Sequence, residues 1–293
     1  MDENQIRFNK VKKILIIILV LNWTVALAKI VYGLITRASS MTADGFHSLS
    51  DGTSNIIGII GITIAAHPVD EDHPYGHKKY ETLFSLVIAA LLTFVCVNLL
   101  FEGIKRLRTP VTPEINFISF LVMVLTTAVN IFVMNYEYKK GKDLKSDILI
   151  SDSLHTKTDI FISLSVIVAL IAGKFSFFIL DPIMTIIIAL FIAHAAWEIS
   201  KQSSDVLCDT AVILDNKKIE DIVLSVKGVK ACHKIRTRGR QDDVHIDLHV
   251  QVNPNMHMDK AHQISYDIEE ALKCGIPGVS DVIVHMEPIE INS

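Results

Sequence analysis

Six apolar stretches, each long enough to cross a lipid bilayer, are the feature of this sequence that most restricts its fold. A membrane-spanning helix needs about 20 mostly apolar residues. The six stretches are Ile14 to Leu34, Met41 to Ala66, Thr82 to Phe101, Ile115 to Met134, Ile148 to Ala172 and Phe175 to Trp197. Half of the 293 residues are hydrophobic, which is unusual for a soluble domain of this size. We therefore expect a six-helix transmembrane domain over residues 1–208.

Basic residues predict how this domain is oriented. An even number of spans places both termini on one side, and the flanks on that side are richer in Lys and Arg, as in the pairs Lys12-Lys13 and Lys139-Lys140. Cytoplasmic loops carry such an excess. The pattern predicts a multi-pass protein of the cell inner membrane with cytoplasmic termini.

Residues 209–293 contain no apolar run long enough to span and show a different pattern. Helical spacing in Lys217 to Val226 and Asp259 to Lys273 predicts two helices, and alternation predicts strands at Lys230 to Thr237, Val244 to Val252 and Asp281 to Met286. The order helix, strand, strand, helix, strand favours a small α+β domain of ferredoxin-like type. A soluble cytoplasmic domain is expected here.

Charge and cysteine usage exclude several classes of protein. The formal net charge of -4 disfavours a nucleic-acid partner, because such proteins neutralise phosphates with excess Lys and Arg. The four cysteines form no CxxC pair, which argues against a disulfide scaffold or a thiolate zinc site.

Two of the predicted spans carry a histidine and an aspartate four residues apart: His47 and Asp51 in the second, His155 and Asp159 in the fifth. Residues at this interval share one face of a helix, so each pair can hold one ion jointly. Both pairs are expected about 20 Å from the same end of the bundle. Two nitrogen and two carboxylate ligands suit tetrahedral Zn²⁺. The sequence therefore predicts a four-ligand metal site within the membrane.

A second interpretation of these pairs is a hydrogen-bonded polar knot that holds the helices together. The metal interpretation is favoured because two matching pairs occur while the third and fourth spans carry no charged residue. Asp44 and Asp152 lie nearer the helix ends, so we interpret them as vestibule or capping groups.

Five motifs in order, ADGFHSLSD, HPYGHKKYE, SDSLHTKTD, ACHKIRTR and VIVHMEP, resemble the cation diffusion facilitator family. The resemblance extends from Lys12 to Pro288. It implies six spans followed by a cytoplasmic domain of metallochaperone-like fold. It also implies a homodimer that exports divalent cations, usually in exchange for protons.

The resemblance further implies three sets of metal ligands. His47, Asp51, His155 and Asp159 correspond to the transport site, and Zn²⁺ is the expected cation, with Fe²⁺, Co²⁺, Cd²⁺ or Mn²⁺ as other candidates. The loop residues Asp70, His73 and His77 correspond to a peripheral ion site. The cytoplasmic ligands that the resemblance implies are His233, His249, His262, His285 and Glu287.

Two other functions fit the sequence less well than transport does. A membrane-anchored metal sensor or scaffold would bind zinc without translocating it, but it would not require the ligands in the fifth span. An enzyme is disfavoured, because no HExxH motif occurs and four protein ligands leave no open position for a reactive water.

Overall fold

A computed structural model describes residues 3–36, 39–108, 117–174, 180–212 and 216–289. Several side chains within the helices, those of His47, Asp51 and Asp44 among them, lie outside the described residues. The chain forms two compact units, Met1–Ser203 and Ser204–Ser293.

Six long helices make up nearly all of the described part of the first unit, and the sixth ends beyond Ser203. They are α1 (Glu3–Thr36), α2 (Ser39–Ala65), α3 (Lys79–Arg108), α4 (Phe117–Asp143), α5 (Asp147–Lys174) and α6 (Leu180–Leu207). The described part of each apolar stretch falls on one of them, apart from Ala66 just past the end of α2; residues 115–116 of the fourth stretch and 175–179 of the sixth are outside the described residues. Several helices extend beyond the apolar stretch: α4, for example, continues nine residues past Met134 to Asp143.

Within the described residues, two helical stretches are long and apolar enough to cross a membrane, Gln5–Ala28 and Lys79–Lys105. Gly52–Ala65 is apolar but shorter. The number of six spans therefore stays a prediction.

Aliphatic side chains and glycines join the helices. One buried cluster unites α1 to α5 through residues such as Leu15, Ile62, Ile88 and Ile148. Another joins α3 to α6, where the Cys96 thiol donates to the carbonyl of Ala189. The close approach of α2 to α3 depends on Gly61, because a Cβ added there would lie 2.5 Å from the Cβ of Phe84.

An arginine ties together three chain segments at one end of this unit. The Arg7 guanidinium donates to Glu81 Oε2 at 2.8 Å and to the carbonyls of Leu144 and Lys145 in the turn between α4 and α5. The Ser146 hydroxyl donates to the other oxygen of Glu81, which is fully buried. The start of α1, the start of α3 and the α4–α5 turn therefore lie at the same end.

The second unit contains α7 (Asn216–Ser225), β1 (Ala231–Arg240), β2 (Asp243–Val252), α8 (Met258–Gly275) and β3 (Val279–Pro288). This is the predicted order of helices and strands. The sheet order is β1-β2-β3, with β1 antiparallel and β3 parallel to β2. Alternate β2 residues such as Ile246 and Leu248 are buried against the helices, whereas Asp247 and His249 lie on the other face.

Candidate metal centres

The α5 half of the predicted membrane site lies on one helical face. His155 and Asp159 are both half-buried, and the buried Nδ1 of His155 has no hydrogen-bond partner among the described residues. Asp159 does interact, and one of its neighbours is Glu137 on α4. The other half of the predicted site, His47 and Asp51, lies outside the described side chains, so the complete ligand set stays a prediction.

Contacts between α2 and α5 define how these helices face each other. Asn55 donates a short hydrogen bond to Asp152 Oδ2. Gly58 follows Asn55 by three residues on α2, and Ile148 precedes Asp152 by four residues on α5. A Cβ added to Gly58 would lie 2.8 Å from Ile148 Cγ2. The two helices are therefore antiparallel, with Asn55 level with Asp152.

A buried pair of carboxyl groups adjoins this contact, and the sequence analysis had not identified it as a pair. Glu137 on α4 and Asp152 on α5 are 0% and 1% exposed. The Thr156 hydroxyl is 3.2 Å from Glu137 Oε2, to which it donates, and the carboxyl groups of Glu137 and Asp152 are hydrogen-bonded to each other. The sequence predicts a vestibule or capping role for Asp152, and Glu137 lies beyond the predicted end of the fourth span. The only signal in the sequence is that Glu137 follows an apolar helix without a helix breaker.

The loop between α2 and α3 brings Asp70, His73 and His77 together. Their potential ligand atoms all lie within 4.8 Å of one another. Asp70 Oδ1 is 3.2 Å from His73 Nδ1, and Asp70 Oδ2 is 3.3 Å from His77 Nε2. One carboxylate thus lies between two imidazoles.

Hydrogen bonds prepare this loop cluster for a cation. His77 is buried and its Nδ1 is 3.1 Å from the carbonyl of Pro68, which can only accept, so Nδ1 carries the proton. In neutral His77 the lone pair therefore lies on Nε2, facing Asp70. Desolvation raises the pKa of Asp70, but hydrogen bonds from the backbone and ring of His73 outweigh it and hold this pKa below its ordinary value. The donor set is therefore an ionised carboxylate with imidazole nitrogen, which suits a divalent cation.

Three imidazoles form a row across the sheet of the second unit. His233 on β1 is directly paired with His249 on β2, which is paired with His285 on β3. Directly paired residues lie side by side on one face of a sheet, and the ring centroids are 5.4 Å and 4.5 Å apart along the row. The register of β1 shifts immediately after His233, and Lys234 has a positive φ of 51°.

Glu287, two residues beyond His285 on β3, contacts all three rings. Its oxygens are 2.6 Å from His249 Nδ1, 3.2 Å from His233 Nε2 and 3.6 Å from His285 Nε2. The hydrogen bond with His249 is the main reason that the pKa of Glu287 lies below its ordinary value. The ligand atoms of His233, His249 and Glu287 all lie within 4.8 Å of one another.

His262 is the predicted cytoplasmic ligand that this cluster does not include. It lies on α8, where its ring contacts that of Tyr266 at a centroid distance of 4.7 Å. Its role as a ligand stays a prediction.

Comparison with known proteins identifies the family of both parts of the chain. A family model described as "Cation efflux transmembrane domain" matches residues 15–208, and one described as "Cation efflux protein, cytoplasmic domain" matches residues 214–289. A solved structure of a MamM CTD variant covers 26% of this chain and 93% of that chain, with 25% identity and a TM-score of 0.25.

Full-length relatives agree with the family models. "Uncharacterized transporter MJ0449" of Methanocaldococcus jannaschii is 34% identical, covering 96% of this chain and 99% of the relative. "Manganese efflux system protein MneS" of Bacillus subtilis is 28% identical over 89% and 90% of the two chains, and "Cation-efflux pump FieF" of Shewanella oneidensis is 28% identical over 92% and 90%. These matches confirm the resemblance drawn from the motifs. The chain belongs to the cation diffusion facilitator family, a family of membrane transporters that export divalent cations.

Proposed function

We propose that this protein exports Zn²⁺ from the cytoplasm in exchange for protons, by alternating access in a homodimer. The observation that carries the proposal is the pair His155 and Asp159 on one face of α5, with the buried His155 Nδ1 lacking a partner among the described residues. Polar ionisable groups within a membrane helix are costly and mark ion pathways by default. The proposed host is the cell inner membrane, crossed by six helices, with cytoplasmic termini.

The antiparallel register of α2 and α5 supports a shared site. Asp51 precedes Asn55 by one helical turn, and His155 follows Asp152 by about one turn. With Asn55 level with Asp152, position 51 becomes level with His155, and position 47 with Asp159. We infer that His47, Asp51, His155 and Asp159 bind the transported ion.

The choice of cation follows from the ligand types. Imidazole nitrogen combined with carboxylate oxygen suits Zn²⁺, whereas Mn²⁺ prefers oxygen ligands. Relatives include a manganese efflux system protein, so Mn²⁺ is the most informative competitor. Both ligand types must be deprotonated to bind metal, and protons arriving from the far side would therefore displace the ion.

The remaining clusters have proposed roles in binding and regulation. Asp70, His73 and His77 would hold a peripheral cation. The cytoplasmic domain, which we assign to residues 209–293 with a ferredoxin-like fold, would bind cations through His233, His249, His262, His285 and Glu287. The family model that matches residues 214–289 has a short name that refers to a dimer. We therefore infer that these cations stabilise contact between two copies.

Proteoliposome uptake tests the transport assignment. Asp51→Asn and Asp159→Asn should each abolish Zn²⁺ flux, while Asp143→Asn should leave it unchanged, because Asp143 is exposed at the end of α4. In the wild type, Zn²⁺ flux should increase with an opposing proton gradient and should exceed the flux of Mn²⁺ under the same conditions. Zn²⁺ flux that persists in both site variants would reject the assignment.

The same vesicles discriminate the second candidate, a sensor or scaffold. A protein of that class would bind Zn²⁺ stoichiometrically yet show no flux under any gradient. The oligomeric state of such a protein should also be unchanged by Asp159→Asn.

A further inference from the structure

We propose that Lys234 is a positioning residue whose left-handed backbone conformation forms a β-bulge in β1, and that this bulge places the imidazole of His233, rather than the thiol of Cys232, on the face of the sheet that carries His249. Lys234 thereby helps to set the ligand atoms of the cytoplasmic cluster. The inference rests on the metal-binding role proposed above for His233.

The backbone of Lys234 is unusual for its place in the fold. Three non-glycine residues in the described part of the chain have a positive φ, and two of them, Lys145 and Asp209, lie just beyond the ends of α4 and α6, where this conformation is common. Lys234, with a φ of 51°, lies inside a strand. The Cβ of a lysine is crowded in this conformation, so its presence within a strand requires a local explanation.

The register of β1 against β2 supplies that explanation. His233 pairs with His249 and Arg236 pairs with Asp247, so two residues separate the paired positions on β1 and only one separates them on β2. One extra residue on one strand of an antiparallel pair is a β-bulge. Such a bulge changes which side chains of its strand face each side of the sheet.

Side chains that follow the bulge show how the two faces of β1 are used. Arg236 Nη2 lies 3.4 Å from Asp247 Oδ2 on the open face, whereas Ile235 packs against the core on the helix-covered face. Successive side chains alternate in a regular strand. Without a bulge, position 234 would therefore take the open face and His233 would point into the core.

Side chains that precede the bulge are placed the opposite way by it. Cys232 pairs with the buried Val250 and packs against the core, and His233 lies on the open face with its Nε2 3.2 Å from Glu287 Oε2. Without the bulge, Cys232 would be on the open face beside Gln251, whose partner on β3 is Glu287. The conformation of one residue therefore decides between imidazole nitrogen and sulfur, which select different cations.

Substitutions at position 234 separate backbone conformation from charge. The ammonium of Lys234 interacts electrostatically with Glu287, and Lys234→Asn and Lys234→Val both remove that charge. Asparagine adopts a positive φ readily, whereas a β-branched residue does so very rarely. Deletion of Lys234 removes the extra residue altogether, so that a regular strand would again pair His233 with His249.

Zn²⁺ affinity of the full-length protein is the first measurement, by competition with a chromophoric chelator. The parent protein carries Asp51→Asn and Asp70→Asn, which remove the other proposed sites. Lys234→Val should weaken binding by at least about 10-fold, the smaller loss found when a group supporting a metal ligand is removed. Lys234→Asn and the deletion of Lys234 should bind Zn²⁺ at least as tightly as the parent, because both keep His233 in place and remove a positive charge.

Labelling of the Cys232 thiol by a maleimide is the second measurement, and it requires no metal. In a protein whose exposed Cys208 and Cys274 are replaced by serine, Lys234→Val should be labelled faster than the parent, because Cys232 has moved from the core to the open face. Lys234→Asn and the deletion should be labelled at the parent's rate. Lys234→Thr, which is also β-branched, is a second variant in case Lys234→Val fails to fold, as elution volume and helix content would reveal.

Unchanged Zn²⁺ affinity together with unchanged labelling of Lys234→Val would overturn the proposal. Loss of Zn²⁺ binding on deletion of Lys234 would also overturn it, because the regular strand should restore the position of His233. A parent that binds no Zn²⁺ would reject the ligand assignment on which the inference depends, whereas tight binding that Lys234→Val leaves intact would reject the inference alone.

Discussion

Glu287 organises the cytoplasmic cluster as a single carboxylate shared by three imidazoles. It accepts from His249 at 2.6 Å and lies within 4 Å of His233 and His285. Its pKa is lowered mainly by the His249 hydrogen bond. A lowered pKa in the folded state means that the carboxylate contributes stability above its ordinary value of 4.5, and that this contribution disappears as the pH falls through the lowered value.

We expect Glu287→Gln to weaken Zn²⁺ binding at this cluster by at least about 10- to 100-fold at pH 7, because that is the loss found when a residue supporting a metal ligand is removed, and Glu287 is itself a proposed ligand. Because Glu287 stays ionised down to its lowered pKa, the ratio of wild-type to variant affinity should remain constant between pH 7 and 5 and shrink only below 4.5. Competition with a chromophoric chelator measures both affinities. Glu269→Gln, which alters an exposed pair with Lys273, should have no effect; equal affinity for Glu287→Gln and wild type would contradict the prediction.

Spacing alone predicts candidate metal ligands that lie on one helix or in one loop, but not how residues of different elements are grouped. HxxxD pairs indicate candidate ligands that share a helix, because the spacing itself places them on one face. Glu137 escaped prediction because its partner Asp152 lies on another helix and because the sequence NYEYKK looks like a solvated loop. The row of His233, His249 and His285 depends on strand register, which sequence patterns leave undetermined.

At the scale of elements, the periodicity of the sequence predicts the type and order of the helices and strands better than it predicts the residues at which they end. The five elements of the second unit appear in the predicted order, and the predicted strand Val244 to Val252 differs from β2 by one residue. The predicted strand Asp281 to Met286 falls short of β3 by two residues at each end, because Val279 and Pro288 lie outside the run of alternating residues. The predicted span Ile115 to Met134 likewise ends before α4 does, because hydropathy marks where an apolar segment stops, whereas the helix continues to Asp143.

Glycine packing makes α2 sensitive to small substitutions. We expect Gly61→Ala to destabilise the first unit by about 1–3 kcal/mol through overpacking. The new methyl would meet Phe84 Cβ at 2.5 Å, and a Cβ cannot rotate away. Thermal unfolding in detergent, followed by size-exclusion recovery, measures the loss.

Gly52→Ala is the matched control on the same helix. Its methyl would meet the side chain of Trp23, also at 2.5 Å, but Trp23 is 39% exposed and can change rotamer. The loss should therefore be smaller than for Gly61→Ala. The reverse order of stability would show that α2 is not held against α3 by this contact.

At the scale of the whole molecule, the two units contain separate hydrophobic cores. One core draws on side chains of α1 to α5, including Leu15 and Ile62. A second cluster of the first unit joins α3 to α6. The described core residues of the second unit, including Ile246, Leu248 and Ile268, form a third cluster. Since the second unit has a hydrophobic core built from its own residues, we expect its stability not to require the first unit.

We therefore expect a fragment of residues 209–293 to fold alone and unfold cooperatively, as followed by circular dichroism. Ile268→Ala should lower its free energy of unfolding by about 2–5 kcal/mol, because Ile268 is fully buried in the core. Ile283→Ala removes the same atoms from a side chain that is 51% exposed and should change stability by no more than about 0.5 kcal/mol. A broad transition, or equal losses for the two variants, would mean that this core forms only when the helices of the first unit are present. A fragment that folds would also allow cation binding at His249 and Glu287 to be measured apart from transport.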